Sequence, residues 1–350
     1  MKTTMMIAMT ILSMGFYCIA NASTITVDTN YPSIGDYTTL LDAFTNANSG
    51  DTILVYPSQT TYTANLSVTK QLHIIGAGYG HDFSKDGVYP TKTTYINFAA
   101  GSEGSIIEGF EIPTIVIRSD NVVIRNNRIT SSISVYANNT VIKSNECQLV
   151  TIQSGYNGNI IKQNKFIRTS GECIHIDSEN EVTISNNILV TPKISSSNRG
   201  IFADPSTSMS IINNYIEAYC PIYCFEPVSG VALNNILNST NINCKIEYAN
   251  NLCNNASLSD NNGNILNTDL STVFVDQSSN NYHLAADSPA TGTGTNGDDM
   301  GIYGGTIPYI DNINLPEAVP SIIHLAVPRM VPTGSNTLNV TIEAKSGNGE

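Results

Sequence analysis

A short pattern that recurs six times in the middle of the chain constrains the fold more than any other feature of the sequence. Each copy has a run of alternating apolar residues, then an asparagine and, two positions later, an apolar residue or a cysteine. Successive asparagines are separated by 18, 19, 23, 27 and 21 residues. The asparagines are Asn127, Asn145, Asn164, Asn187, Asn214 and Asn235, with Gly109 in the same place in an earlier copy and Asn251 in a later one.

The spacing and the alternation of these copies predict an all-β solenoid. Short runs with period-two alternation indicate strands that bury one face. An interval of about 20 residues fits one coil of three short strands and three turns. Asparagine tolerates the left-handed backbone conformation of a sharp corner, and asparagines stacked in successive coils can hydrogen-bond to one another. The pattern of leucine-rich repeats is absent, and a propeller blade needs about 40 residues or more.

The alternation also predicts which side chains face the core. Before the corner, we expect inward positions at Val123, Val141, Ile161, Thr183, Ser210 and Val231 or Ala232. After the corner, the pattern predicts one apolar column of Ile129, Cys147, Phe166, Leu189, Ile216, Leu237 and Cys253. Cys147 and Cys253 are therefore expected to be core residues rather than reactive thiols. Either Cys220 or Cys224 could form a disulfide with Cys244.

The two ends of the chain give the domain boundaries. Residues 1–22 contain a lysine, an apolar run and a small-residue cleavage site. We therefore expect a signal peptide and a mature protein that begins at Ser23 and is secreted or held at the cell surface. Residues 23–305 form the predicted solenoid domain, which opens with a cap helix over 38–48 and ends in a turn-rich closure. Residues 306–350 contain five prolines and are expected to form an extended tail with a terminal strand.

The charge of the chain argues against one class of ligand. The sequence has 29 acidic and 16 basic residues, so its formal net charge of −13 would repel the phosphates of a nucleic acid. No apolar run after the signal peptide is long enough to span a membrane. We expect a monomer with no nucleic-acid partner and no membrane span.

Several stretches of the sequence resemble a known family. Tyr37–Phe44, Ser49–Pro57 and Leu72–Gly80 are similar to the opening of pectate-lyase-like β-helix proteins. Asp287–Gly294 and Asp299–Gly305 resemble the C-terminal closure of secreted bacterial proteins of this type. The resemblance implies a single-stranded right-handed parallel β-helix with an N-terminal cap helix, and it implies extracellular polysaccharide chemistry by lyases, hydrolases or esterases. The catalytic motifs of pectate lyases and polygalacturonases are absent, so the family assigns no catalytic residue here.

One outward column of the predicted solenoid combines acidic and aromatic side chains on three successive strands. The isoleucines of these strands are expected to point inward, so the residues between them point outward. Neighbouring carboxylates raise one another's pKa or recruit a cation, which suits acid–base catalysis or a Ca²⁺ ion as cofactor. We predict catalytic roles for His175, Asp177, Asp204 and Glu226, and substrate-binding roles for Phe202, Tyr223 and Arg199.

A second outward column is basic. It consists of Arg125, Lys143 and Lys162, two residues before three successive corners. A solvated surface accounts for this column, because like charges at this spacing repel by only about 1 kcal/mol in water. A groove for an anionic glycan is the alternative.

Two functions remain open at this point. The first is a secreted protein that recognises extracellular polysaccharide and cleaves it as a lyase or a glycoside hydrolase. The second is a non-catalytic surface or adhesion protein whose solenoid presents a binding face. The missing family motifs favour the second function, and the acid–aromatic column favours the first. A structural protein with no glycan ligand is a third possibility.

Overall fold

The computed structural model describes residues 22–30, 34–80 and 89–311, together with the backbone of two strands, Ser321–Ala326 and Thr341–Lys345. The predicted signal peptide, except for Ala22, lies outside this described part, and so does most of the predicted tail. The two late strands pair antiparallel with each other, with Ser321 opposite Lys345.

The N-terminal cap helix is present and shorter than the predicted 38–48. Helix α1 spans Leu40–Asn46 and begins where the side chain of Thr39 accepts a hydrogen bond from the backbone N–H of Asp42. Leu40, Ala43 and Phe44 are buried and join the solenoid core, so the helix closes the open end of the first coil. None of the helices in the described part of the chain has the length and apolar character to cross a bilayer.

Short parallel strands, numbered in chain order, make up the walls of the solenoid. Sheet A precedes the asparagine corner, and neighbouring strands in it come from successive coils. Its eleven described strands are β1 (Thr24–Val27), β2 (Thr52–Val55), β4 (His73–Ile75), β6 (Ile106–Glu108), β8 (Val123–Arg125), β10 (Val141–Lys143), β12 (Asn159–Lys162), β15 (Glu181–Ser185), β18 (Ser208–Ile212), β21 (Ser229–Leu233) and β23 (Glu247–Ala249).

Sheet B follows the same corner. Its main path among the described residues comprises β3 (Tyr62–Val68), β5 (Thr93–Phe98), β7 (Glu111–Ile117), β9 (Arg128–Val135), β11 (Glu146–Ile152), β13 (Lys165–Ile167), β16 (Ile188–Val190), β19 (Tyr215–Ala218), β22 (Ile236–Ser239) and β24 (Leu252–Cys253). A third face branches from β11 in the later coils, and it comprises β14 (Glu172–Ile176), β17 (Arg199–Ala203) and β20 (Cys220–Cys224). The long strand β11 has a register shift between Cys147 and Leu149. Its first part pairs with β13 of sheet B and its last part with β14 of the third face, so one strand belongs to both faces.

The predicted asparagine ladder is confirmed, with one correction. The ladder asparagines are fully buried, and in each step the side-chain oxygen of one coil accepts from the backbone N–H of the preceding coil, as Asn164 Oδ1 does from Asn145 at 2.9 Å. The left-handed residue, however, is the one before the ladder asparagine, for example Ser144 with a φ of 54°. Gly109 occupies this left-handed position, so Phe110 rather than Gly109 stands in the ladder register of Asn127.

The core confirms one predicted column and corrects the other. Every member of the column after the corner is buried, including Cys147 and Cys253. Before the corner, Ile161 and Ala232 point inward as predicted. The other predicted positions are off by one residue, because the buried side chains are those of Ile124, Ile142, Ile184 and Ile211. Of the two possible disulfides, the one that forms joins Cys224 to Cys244.

A C-terminal segment closes the solenoid over sheet B. It contains the antiparallel hairpin of β25 (Phe274–Asp276) and β26 (Asn281–Leu284), with short 3-10 turns at Leu270–Thr272, Gln277–Ser279 and Thr295–Gly297. The side-chain amide of Asn186 fixes this segment by donating to the carbonyls of Ile302 and Gly304, both at 2.9 Å. A second apolar cluster, which includes Tyr215, Tyr282 and Met300, fills the space between the segment and the sheet.

Candidate functional site

The third face brings His175, Asp177 and Asp204 together, and we call these three residues the His175 cluster. Ile174, Ile176 and Ile201 are fully buried, so the alternation of strands β14 and β17 directs the intervening side chains outward. Asp177 and Asp204 each come directly after the end of a strand. Their backbone N–H groups continue the parallel pairing by donating to the carbonyls of Ile152 and Ile176 in the preceding coils, both at 2.9 Å. The two aspartates therefore lie one coil apart.

The imidazole of His175 lies between carboxylates. Its Nε2 atom is 3.2 Å from Asp177 Oδ1 and 3.7 Å from Asp204 Oδ2, and its Nδ1 atom is 3.4 Å from Glu172 Oε1. Nε2 is buried and has no hydrogen-bond partner of good geometry. The three side chains are exposed to a similar extent, 25% for His175, 26% for Asp177 and 28% for Asp204, so it is the Nε2 atom and not the whole imidazole that is buried. A bound substrate would therefore contact the carboxylates rather than the buried nitrogen.

The surroundings shift the pKa of three groups in this region. Hydrogen bonding to Glu172 raises the pKa of His175 above its ordinary 6.5, against the effect of burial, and the nearby carboxylate charges add to the increase. The same hydrogen bond holds the pKa of Glu172 below its ordinary value. Burial raises the pKa of Asp177, despite the opposing charge of His175. The cluster therefore combines an imidazole and a carboxyl group that both hold a proton more tightly than they would in water.

The predicted substrate-binding residues form a stacked column beside the cluster. Phe202 pairs in register with His175 on one side and Tyr223 on the other. The Arg199 guanidinium lies 4.6 Å from the Phe202 ring centre and 4.0 Å from that of Tyr223. Phe202 is only 8% exposed, so it has little free face for a sugar, whereas Phe225, which the prediction omitted, is 47% exposed. Whether Phe202, Tyr223 and Arg199 bind substrate remains a prediction.

Glu226 is the predicted catalytic residue whose contacts lie elsewhere. Its carboxylate accepts hydrogen bonds from the backbone N–H of Val228 at 3.3 Å and of Lys245 at 3.0 Å. The bond from Lys245 attaches Glu226 to the following coil, and the bond from Val228 lies within its own turn. Sequence reasoning missed Glu172, although its position on the same strand as His175 was a usable signal.

The cluster has the composition of a metal site. One nitrogen and two carboxylate oxygens, all within 4.8 Å of one another, could ligate an ion. Ca²⁺ takes about six to eight oxygen ligands, whereas imidazole suits transition metals such as Zn²⁺. The set therefore fits the predicted Ca²⁺ less well than a transition metal.

The basic column has a structural role at its first position. Arg125 donates to both oxygens of Glu108, at 2.8 and 3.2 Å, and His73 Nε2 lies 2.7 Å from the same carboxylate. Glu108 is fully buried, so Arg125 compensates a buried charge. Lys143 and Lys162 follow Arg125 in register on the next two coils.

Comparison with known proteins bears on the architecture. No protein-family model matches the chain, and no curated protein matches it. Among solved structures, the crystal structure of pectate lyase Pel9A matches 81% of this chain and 96% of its own, with a TM-score of 0.56 and 13% sequence identity. The chain is a right-handed parallel β-helix. At this identity the similarity establishes the fold alone, and the chemistry of the β-helix has to be argued from its own residues.

The β-helix also has a concave surface that sequence reasoning missed. It lies on sheet B, under the C-terminal segment, and its walls include Tyr282, Tyr303 and Tyr309. The wall residues come from a segment far along the chain from the sheet. The hydrogen bond between Asn186 and Ile302, which attaches this segment, spans 116 residues. Short-range patterns in the sequence could not have revealed this surface.

Proposed function

We propose that this protein is secreted after cleavage near Ala22 and hydrolyses an extracellular polysaccharide at the His175 cluster. The observation that carries the proposal is the convergence of two carboxyl groups from successive coils on one imidazole, at 3.2 and 3.7 Å. The fold supports it, because the similar structure is named a pectate lyase, and the same architecture can therefore host cleavage of a polysaccharide. Fold alone does not determine chemistry, so the residues of the cluster have to account for the reaction.

Asp177 and Asp204 are the proposed catalytic pair. Burial raises the pKa of Asp177, so Asp177 is the group suited to hold a proton and donate it to the departing glycosidic oxygen. The Asp204 carboxylate then bonds to the anomeric carbon as the glycosidic bond breaks. Water attacks that carbon in the second step, gives its proton to Asp177 and releases Asp204. The ligand oxygens of the two groups lie no more than 4.8 Å apart, which leaves no room for the water that hydrolases inverting configuration place between carboxyl groups about 6.5–9.5 Å apart, so a retaining mechanism fits better.

His175 is a positioning residue in this scheme. Its Nε2 atom is buried between the two carboxylates, 3.2 Å from Asp177 and 3.7 Å from Asp204, so it fixes their relative position. His175→Gln should therefore shift the pH dependence of hydrolysis, because the charge next to Asp177 disappears and the pKa of Asp177 rises further. A purely structural role would change stability and leave the pH profile of the remaining activity in place.

The test uses the mature protein with a panel of acidic and neutral polysaccharides, with and without EDTA. New reducing ends report hydrolysis, and ultraviolet absorbance of unsaturated ends reports elimination. We expect reducing ends without unsaturation, and a decrease of about 10²-fold or more for Asp177→Asn and for Asp204→Asn. Asp260→Asn is the matched control, because Asp260 is exposed and lies outside the cluster. Full activity in both cluster variants would show that the reaction, if observed, occurs elsewhere.

A non-catalytic binding protein is the second candidate function. The ring of Phe225 favours this candidate, because it is 47% exposed, packs edge-on against Phe202 and offers an aromatic surface for a sugar without a surrounding cleft. Retention of a polysaccharide on the immobilised protein, without new reducing or unsaturated ends, would select it.

A further inference from the structure

A hydrogen bond joins the bend after strand β16 to strand β22. The Nζ atom of Lys193, in that bend, lies 2.5 Å from Oδ1 of Asn238, which comes 45 residues later in the chain. Asn238 points away from the solenoid core, because its neighbour Leu237 points inward, and yet it is only 6% exposed. Nζ is therefore held in a protected place next to Cγ, the carbon atom that carries Oδ1.

The amine of Lys193 is not engaged in an ion pair. Within the described part of the chain, no carboxylate lies within ion-pair distance of its Nζ atom. No salt bridge therefore has to break before the amine loses a proton and becomes a nucleophile. The contact with Asn238 also holds the two groups together, so a reaction between them does not have to meet the entropic cost of an encounter.

A buried proton relay lies beside the amide of Asn238. Glu217 is the partner of Asn238 in the register of strands β19 and β22. The Tyr215 hydroxyl donates to Glu217 Oε2 at 2.6 Å and also hydrogen-bonds to the Asn238 side chain. From the C-terminal segment, Gln277 Nε2 donates to the Tyr215 hydroxyl at 2.6 Å and to Glu217 Oε2 at 2.9 Å. The relay therefore runs from Glu217 through Tyr215 to Asn238.

Aromatic rings cover this relay. The Tyr215 ring is fully buried, and its centre lies 5.1 Å from that of Phe274 and 4.7 Å from that of Tyr282. Burial raises the pKa of Tyr215, so its hydroxyl keeps a proton at neutral pH. The enclosure strengthens the hydrogen bonds of the relay and keeps water from competing with the amine for the amide carbon.

We propose that Lys193 and Asn238 form an isopeptide cross-link, in a reaction that the protein carries out on itself. Nζ, as the neutral amine, bonds to Cγ of Asn238, and the bond between Cγ and Nδ2 breaks. The proton that Nζ loses moves through Tyr215 and Glu217 to Nδ2, which leaves as ammonia. An amine and a primary amide thus become a secondary amide and ammonia, and no oxidant or co-reactant is needed.

The groups around the new bond have different roles. Tyr215 is a catalytic residue of this step, because its hydroxyl contacts Asn238, whereas Glu217 is a positioning residue that acts through Tyr215. The cross-link joins the bend at 191–198 to a strand two coils further along sheet B. It does not depend on the proposed hydrolysis, and it stands even if Asp177→Asn and Asp204→Asn leave cleavage unchanged.

The test is the intact mass of the mature protein after reduction of its disulfide. We expect a mass lower than that of the sequence by one ammonia molecule, and a branched proteolytic fragment that contains Lys193 and Asn238. Lys193→Arg should have the full mass of its own sequence, because a guanidinium stays charged and is not a nucleophile. Lys165→Arg is the matched control and should keep the mass loss, because Lys165 lies on strand β13 of the same sheet.

Substitutions of Glu217 test the relay. Glu217→Gln should slow the cross-linking about tenfold or more, and Glu217→Asp should restore part of the rate, because it keeps a carboxylate. In the Lys193→Arg background, where no cross-link can form, both substitutions should give similar melting temperatures. Equal slowing in Glu217→Gln and Glu217→Asp would refute the relay, because it would indicate that Glu217 only fills space.

Three results would overturn the cross-link itself. The first is a wild-type mass equal to that of the sequence after prolonged incubation at alkaline pH. The second is a loss of ammonia that persists in Lys193→Arg, because an Asn–Gly pair such as Asn296–Gly297 also releases ammonia when the backbone nitrogen closes a ring on the side chain. The third is a branched fragment that joins Lys193 to a residue other than Asn238.

Discussion

The asparagine ladder allows a stability prediction with a magnitude. Asn164 donates from its side-chain amide to Ile142 O at 2.8 Å, to Lys162 O at 2.9 Å and to Asn187 Oδ1 at 3.0 Å. Its own Oδ1 accepts from the backbone and side-chain nitrogens of Asn145, at 2.9 and 3.0 Å. All of these groups are in the buried corner. Asn164→Ala therefore removes the acceptor of the Asn145 backbone N–H and leaves that group buried without a partner.

The expected loss follows from these contacts. A buried N–H without a partner costs about 1–3 kcal/mol, and the remaining net hydrogen bonding adds roughly 1 kcal/mol, so Asn164→Ala should lower the free energy of unfolding by about 2–4 kcal/mol. The assay is equilibrium unfolding in guanidinium, followed by far-ultraviolet circular dichroism. Asn241→Ala is the control, because Asn241 is exposed, and it should change the free energy by no more than about 0.5 kcal/mol. Similar losses in both variants would refute the reasoning that the ladder stabilises the corner.

Three further predictions concern the titration, the disulfide and the core. Because Glu172 raises the pKa of His175, the imidazolium stabilises the fold below pH 6.5, and this contribution is lost as the pH rises through the folded pKa. An NMR titration of His175 should give a pKa above 6.5, and the Glu172→Gln substitution should lower it. Reduction of the Cys224–Cys244 bridge, which closes a separation of 20 residues, should cost about 3 kcal/mol and lower the melting temperature, whereas reductant should leave Cys244→Ala unaffected. Phe166→Ala in the buried column should lower the free energy of unfolding in guanidinium by about 3–5 kcal/mol. Ile167 is exposed, so an equal or larger loss in Ile167→Ala would contradict the assignment of Phe166 to the core column.

The sequence predicted those parts of the fold that depend on repetition. The corner asparagines bond to the same position in the next coil, so their recurrence was sufficient to place them and the column that follows them. The inward positions before the corner were predicted one residue early in several coils. Val123 and Ile124 are adjacent β-branched residues in a strand of three, and alternation cannot distinguish them over so short a length.

In the candidate site, too, only the positions that the repeats determine could be predicted from the sequence. His175 lies on strand β14 and Asp204 directly follows strand β17. The isoleucines of these strands fix the outward direction, so the proximity of the two residues could be predicted from the spacing of the repeats. The contacts of Glu226 depend on the bend after strand β20, and no repeat constrains them. The concave surface on sheet B depends on a segment far away in the chain, because Tyr303 lines the same cavity as Lys165. Long-range docking of this kind leaves no local pattern.

The unequal length of the coils has a consequence for how such a protein can diversify. Between Asn164 and Asn187 the interval is 23 residues, and between Asn187 and Asn214 it is 27, although both steps of the ladder keep the same contacts. The additional residues lie after sheet B, at 168–171 and 191–198, beside the entrance to strands β14 and β17. Insertions at this bend can therefore change the surface beside the strands that hold the His175 cluster, while the stacking of the coils is preserved.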